Sequence, residues 1–136
     1  MPLLSTDFTI MKAIIRANSD ALIPKIHYYG QVANSFVLIM DLMGPSVEDL
    51  FSLMNKRFSI KTILMLSLRM LRALETVHAV NFIHRDIKPD NFVMGGKPRN
   101  KNRCYLIDFG LSKRCSCSII VNQTPRYPKR NLTGTV

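Results

Sequence analysis

At 136 residues and 47% hydrophobic content, the chain suits one globular domain or part of one and is too apolar to be disordered. No stretch approaches the roughly 18 uninterrupted apolar residues of a membrane helix, because Lys61, Arg69 and Arg72 punctuate the most apolar region. The net charge of +10 is carried as −2 over residues 1–50 and +6 over each of 51–100 and 101–136, so the later part of the chain attracts anionic partners.

Residues Met1 to Asp7 lack the basic start and long apolar core of a signal peptide. Thr6 or Asp7 is placed to cap a helix through about Ala17, with Phe8, Met11, Ile14 and Ile15 on its apolar face. Ile23 to Tyr29 reads as a strand ended by Gly30, and Ser35 to Met40 as its hairpin partner across Val32–Ser35. Met43-Gly44-Pro45-Ser46 reads as a breaker. Ser46 then caps a short helix bearing Val47, Leu50, Phe51 and Met54, with Glu48 and Asp49 in its first turn. Ser59 opens the longest periodic segment, from Ile60 to about Asn81. Its expected apolar face is Ile60, Ile63, Leu64, Leu68, Leu71, Leu74 and Val77, widened by Leu66 and Met70.

Short strand-like segments follow at Phe82-Ile83, Phe92-Val93-Met94 and Tyr105-Leu106-Ile107, the last two separated by the basic loop Gly95–Arg103. From Leu111 to Val136 no period is sustained. The three cysteines, Cys104, Cys115 and Cys117, are odd in number and sparse; free thiols in a reducing compartment are the reading, not metal ligands.

The chemistry concentrates at His84-Arg85-Asp86-Ile87-Lys88-Pro89-Asp90-Asn91 and, 22 residues past Asp86, at Asp108-Phe109-Gly110. Phosphoryl transfer asks for positioning and charge neutralisation more than for covalent chemistry. Asp86 can accept or orient the proton of an attacking hydroxyl, and Lys88 can balance charge on the transferring group. Asn91 and Asp108 offer hard oxygen ligands to Mg²⁺, which needs only one or two carboxylates beside phosphates and water. Pro89 and Asp90 read equally well as turn formers. The two motifs match the protein-kinase pattern, with Ile87 in the place of its Leu.

The chain resembles the casein kinase I superfamily of protein kinases. The likeness rests on Leu42-Met43-Gly44-Pro45-Ser46-Val47-Glu48-Asp49-Leu50-Phe51, on Phe82 to Phe92 and on Asn131-Leu132-Thr133-Gly134-Thr135. Arg103-Cys104-Tyr105-Leu106-Ile107-Asp108 after a basic insertion is also similar to tau-tubulin kinases of the same superfamily. The resemblance implies an α+β, protein-kinase-like fold, incomplete within residues 1–136. Residues 7–40 would be part of a small β lobe and 41–45 a hinge. Residues 46–107 would begin a mainly helical large lobe with its catalytic loop at 84–91, and 108–136 would be an activation segment cut short.

By the same resemblance Asp86 is the catalytic base, Lys88 the phosphate partner, and Asn91 and Asp108 the Mg²⁺ ligands. ATP would be met by Met40 at the back of the adenine pocket, by the backbone of Asp41, Leu42 and Met43, and by Val93 beneath it. Plain core packing is compatible with both Met40 and Val93. Arg130, with Arg126 and Lys129 near it, would face acidic or already phosphorylated protein substrates. The expected location is cytoplasmic, nuclear or both, with no membrane and no nucleic acid partner.

Two parts of that machinery have no counterpart in these 136 residues. None of the six glycines are two apart, so no G-x-G-x-x-G occurs, and no V-A-I-K lysine occurs either. Lys12 lies in the first predicted helix and does not fill that role. The helix acid falls at Asp7, one methylene shorter than the family's Glu and without its lysine. The expected activity is that of a serine/threonine kinase, with a partial domain inactive by itself. The alternative is a kinase-derived binding module without catalysis. A nucleic-acid-binding fragment is suggested by charge alone and lacks a motif or a stacking aromatic series.

Overall fold

The computed structural model describes residues 3–115. Helix α1 (Leu3–Ala17) starts ahead of the expected cap, because Leu3 and Leu4 are good helix formers and extend it; Asp7 thus sits inside the helix. Ile10, Met11 and Ile14 form its buried stripe, the three-to-four spacing of one helix face. Phe8 stacks on Tyr29 at 4.1 Å between ring centroids, fixing α1 on the hairpin beside it.

That hairpin consists of β1 (Ile26–Val32) and β2 (Ser35–Met40), antiparallel across Ala33-Asn34. The second strand and the turn fall where the sequence put them. The first strand is displaced: it begins at Ile26 and runs through Gly30, which pairs with Val37 instead of ending the ladder. Ile23 and Pro24 are buried as an approach segment, and the Leu22 carbonyl before them accepts the Leu106 N–H at 2.9 Å.

Met43 to Ser46 was expected to break structure. It forms a short strand, β3 (Met43–Ser46), with Met43 opposite Gly95 and Ser46 opposite Val93. Pro45 is tolerated because the register shifts between those two paired positions, so its missing N–H interrupts no regular ladder. Ser46 then caps α2 (Val47–Leu53) by a reciprocal box. Its Oγ accepts the Asp49 N–H at 3.0 Å, and Asp49 Oδ2 accepts the Ser46 N–H at 2.8 Å.

Ser59 caps α3 (Ile60–His78), accepting the Thr62 N–H at 3.1 Å, and the helix ends three residues before the expected Asn81. Asn81 takes φ 60°, the left-handed conformation that turns the chain out of the helix into β4 (Phe82–Ile83). The expected apolar face of α3 is only partly the buried one. Leu66, Ala73 and Val77 are buried, with Met70 and Leu74 packed against the same core. Ile60, Leu64 and Leu71 are 77%, 65% and 63% exposed. The helix is apolar on two sides, and periodicity alone does not say which side meets the sheet.

A three-stranded antiparallel sheet, in the order β3–β5–β6, lies against α3, where β5 is Phe92–Gly95 and β6 is Cys104–Leu106. Its side chains Phe92, Met94, Cys104 and Leu106 join those of α1 and α3 in one core. Strand β4 pairs with β7 (Lys113–Arg114), a strand the aperiodic sequence after Leu111 did not announce. The expected α+β class holds, with an N-terminal helix and antiparallel strands. Among the described residues no helix is long and apolar enough to cross a membrane. Cys104 and Cys115 are free, and Cys117 lies outside the described residues.

The two serine caps differ in setting, and stability measurements should rank them. Ser46→Ala removes a part-buried reciprocal box and is expected to cost about 1–2 kcal/mol, whereas Ser59→Ala removes an exposed cap for about 0.5–1 kcal/mol. Urea denaturation midpoints at constant slope report both. A Ser59→Ala loss equal to or above that of Ser46→Ala would contradict the role given to the box.

Candidate active site

His84 to Asn91 leaves β4 as an extended turn and closes with a 3-10 turn, Pro89–Asn91, whose proline occupies the position where no N–H is needed. Three of the sequence-predicted residues meet here. Lys88 Nζ lies 2.9 Å from Asp86 Oδ2, and Asn91 Nδ2 donates to the same oxygen at 3.0 Å and to the Asp86 carbonyl at 2.9 Å. Both partners of the Asn91 amide nitrogen are acceptors only, which fixes the amide's orientation and leaves its oxygen without a hydrogen bond among the described residues. The Lys88 hydrogen bond, aided by Asn91, holds the Asp86 carboxyl below its ordinary range. Lys88 is correspondingly raised, chiefly by Asp86, and Asp108 adds to the field at its ammonium.

His84 ties this loop to the second motif. Its ring is buried, with Nδ1 3.3 Å from the Asp86 N–H and Nε2 3.0 Å from the Ile107 carbonyl. An N–H can only donate and a carbonyl only accept, so Nδ1 is bare, Nε2 carries the proton and the imidazole is neutral. Burial lowers its basicity in the same direction. Three more bonds stitch the segments together. Ile107 N–H donates to the Asn91 carbonyl, Ser112 Oγ donates to the His84 carbonyl at 3.1 Å, and Arg85 Nε donates to the Leu111 carbonyl at 2.6 Å. Phe109, fully buried, meets the His84 ring edge-on at 5.1 Å. Arg85 and Asp108 have φ of 70° and 65°, so each motif holds one non-glycine residue in the left-handed region.

Asp108 itself is exposed, its Oδ1 3.4 Å from the Gly110 N–H, which leaves the carboxylate open to a cation. Asp108 and the Asn91 amide each offer oxygen donors of the hard kind that Mg²⁺ takes alongside phosphate and water. Among the described residues there is no cluster of three His, Cys, Asp or Glu that would hold a metal by protein ligands alone.

A contact that sequence reasoning missed joins Asp7 to this turn: Asp7 Oδ1 accepts the Phe109 N–H across 102 positions of sequence. Asp7 was identified as the helix acid, but its partner is a backbone amide, a group that leaves no residue-type signal. Burial raises its carboxyl above the ordinary range, opposed in part by the Phe109 bond. The part of His84 as the buried hub is likewise invisible to residue type, because both of its partners are backbone groups.

Of the remaining expected residues, Asp41 and Leu42 form the connector between β2 and β3. Met40 ends β2 and pairs with Ile26; Leu42 is 86% exposed, and Met43 is in β3. The Asp41 carboxylate is engaged by His27 at 3.0 Å and Lys97 at 3.4 Å, and its N–H donates to the Lys25 carbonyl. Val93 is buried between Ser46 and Tyr105. A Cβ on Gly96 would collide with the Leu42 carbonyl, so glycine lets the loop after β5 lie on the connector. Arg130 lies outside the described residues, as do Arg126, Lys129 and Asn131–Thr135.

A family model for the protein kinase domain matches residues 8–128. The chain belongs to the protein kinase family. Its α+β arrangement is accordingly part of a kinase-like fold, and phosphoryl transfer to protein is the activity class of the domain. Kinase domains generally use ATP and Mg²⁺, and the oxygens of Asn91 and Asp108 fit the metal's preference.

The neutral His84 generates a pH prediction for this kinase domain. Its folded pKa lies below the unfolded value of about 6.5, so above that pH neither state is protonated and the contribution to stability is intact. As pH falls through that value the unfolded chain takes up the proton first, and stability declines. Thermal midpoints should therefore hold above about pH 7 and fall as pH drops through about 6.5 and below, starting above the range of ordinary carboxylates. His84→Gln, which keeps one acceptor and one donor, should flatten that slope even where it lowers the midpoint. An unchanged slope would remove His84 as its source.

Proposed function

We propose that this chain is the catalytic portion of a serine/threonine protein kinase of the casein kinase I type, transferring the ATP γ-phosphoryl to Ser or Thr of protein substrates. The observation that carries the reading is the Asp86 carboxylate, braced by Asn91 and ion-paired to Lys88, whose ammonium also feels the charge of Asp108. A carboxylate kept ionised by two donors is suited to orient an incoming hydroxyl and take its proton. Lys88 would balance charge on the transferring group, and Asn91 and Asp108 would hold Mg²⁺. When bound, the metal and nucleotide supply the phosphoryl group and neutralise its charge.

Serine/threonine preference is supported by Lys88 two residues past Asp86, and the casein kinase I type by the Leu42–Phe51 and Asn131–Thr135 stretches. Adenine would meet backbone groups of Asp41, Leu42 and Met43, of which the Asp41 N–H is already engaged by Lys25. Met40 would bound the back of that pocket and Val93 its floor. Cytoplasm or nucleus is the proposed location.

A second reading is a non-catalytic module derived from a kinase; these 136 residues hold no glycine-rich loop and no V-A-I-K lysine, and the two readings part once those elements are supplied. Activity of the chain by itself is expected to be negligible on either reading. Mg²⁺-dependent transfer by the purified chain, lost on Asp86→Asn, would show the missing elements to be dispensable. When a glycine loop and lysine are supplied in a completed domain, the readings part. Asp86→Asn should then lower turnover by roughly 10²–10⁴ while sparing nucleotide affinity. Asp108→Asn should weaken metal-nucleotide binding instead. No transfer by the completed domain favours the module.

Arg130 is proposed as a substrate-side contact for acidic or already phosphorylated peptides, through charge-assisted hydrogen bonds. In the completed domain, Arg130→Ala should raise KM for such peptides more than for neutral ones. Added salt should narrow the difference, since exposed charges are screened beyond about 10 Å at 0.1 M. Equal, salt-independent losses on both peptide classes would make Arg130 merely structural.

A further inference from the structure

Five cations border two adjoining clefts that share no residue with the 84–91 loop or the 108–110 turn. The first, of about 420 Å³, is rimmed by Arg69 and Arg72 of α3 and by Arg103, with half-buried Leu22 and buried Cys104 also in its lining. Burial pushes the Cys104 thiol up to about 11, so that lining is neutral at physiological pH. The second, of about 340 Å³, adds Lys25 and Arg99 beside the same Arg103. Arg103 and Asp20 border both clefts and make them continuous.

Among the described residues, none of these five cations has a carboxylate within ion-pair distance. Of the acids in the lining, Asp41 is already engaged by His27 and Lys97, which leaves Asp20 and Glu75 against five positive charges. Arg69 and Arg72 are three apart on one helix, neighbours of like charge that weaken α3 in the absence of an anion. Arg103 is pre-oriented. Its guanidinium lies over the Tyr105 ring, 5.9 Å from the centroid, and its Nη2 donates to the Asp20 carbonyl at 3.5 Å. A guanidinium held in place loses less freedom on gripping an oxyanion than a free one does.

We propose that the two clefts form a docking groove for an extended acidic peptide, one anionic side chain seating between Arg69, Arg72 and Arg103 and a second between Arg103, Arg99 and Lys25. Phosphoserine and clustered Asp or Glu share the oxyanion chemistry, and phosphate's extra charge and acceptors make it the stronger ligand. The Arg103 guanidinium covers the Tyr105 ring, so that ring is not offered to stack the bases of a single strand, which favours a peptide. The groove goes beyond the phosphotransfer reading and does not depend on it: it binds whether or not the chain catalyses.

Fluorescence anisotropy of the 136-residue chain with a short labelled peptide carrying two phosphoserines tests this, beside its Asp and Ser counterparts. The phosphopeptide should bind tightest and the Ser peptide least, with binding falling as salt rises. Arg69→Gln/Arg72→Gln should weaken it by roughly tenfold or more. Lys101→Gln, exposed and outside both clefts, should change it by less than about twofold. If circular dichroism shows the double variant to have lost helix, Arg103→Gln carries the same expectation. The proposal fails if the phosphopeptide does not bind, or if Lys101→Gln weakens it as much as the cleft variants. It also fails if a single-stranded oligonucleotide binds more tightly and is lost through the same substitutions, which would make the groove a nucleic acid site.

Discussion

The buried imidazole of His84 is the constraint on which the site depends. A neutral ring with one donor and one acceptor can satisfy two backbone groups at once, here the Asp86 N–H and the Ile107 carbonyl. Lysine or arginine could not accept, and an aliphatic residue would leave both groups unpaired in the interior, where each costs about 1–3 kcal/mol. The ring also meets Phe109 in an edge-to-face contact, joining a polar bracket to the apolar core. Two segments 22 residues apart in sequence are thereby held as one surface, and the Asp86–Lys88–Asn91 cluster inherits its geometry from that bracket.

Much of this was legible in the sequence wherever the determining contacts are local. Ser46 and Ser59 cap the helices they were assigned, since a cap is decided within three residues. Asp86, Lys88 and Asn91 converge because they lie on one short loop. The misreadings come from partners far away in the chain. Gly30 reads as a strand end until Val37 is placed opposite it, and Met43–Ser46 reads as a breaker until β5 supplies a ladder. On α3 the pattern reads as one broad apolar face that includes Ile60, Leu64 and Leu71, and packing against β6 and β4 decides that Leu66, Ala73 and Val77 go inside. The Asp7 contact is the extreme case, being specific for a position and indifferent to the residue type that donates the amide.

The connector between hairpin and sheet shows how little chain can join two parts firmly. Asp41 gathers polar partners from both sides, His27 on β1 and Lys97 on the loop after β5, while its N–H donates to the Lys25 carbonyl. Gly96 brings that loop against the Leu42 carbonyl from the other direction. Polar contacts in partial solvent are weak singly. Their convergence on residues 41–43 restricts the connector more than any one of them could.

Asp7 has a mechanical consequence. Its carboxylate is attached to α1 by a single methylene, so the reach from helix to the Phe109 amide contains almost no slack. A longer acid could swivel and keep its grip while the helix slid; this one cannot. Sliding or rotating α1 must either drag the Asp108-Phe109-Gly110 turn with it or let the amide go. While that bond holds, the helix and the turn move together, and a displacement of α1 is felt where Asp108 presents its oxygens.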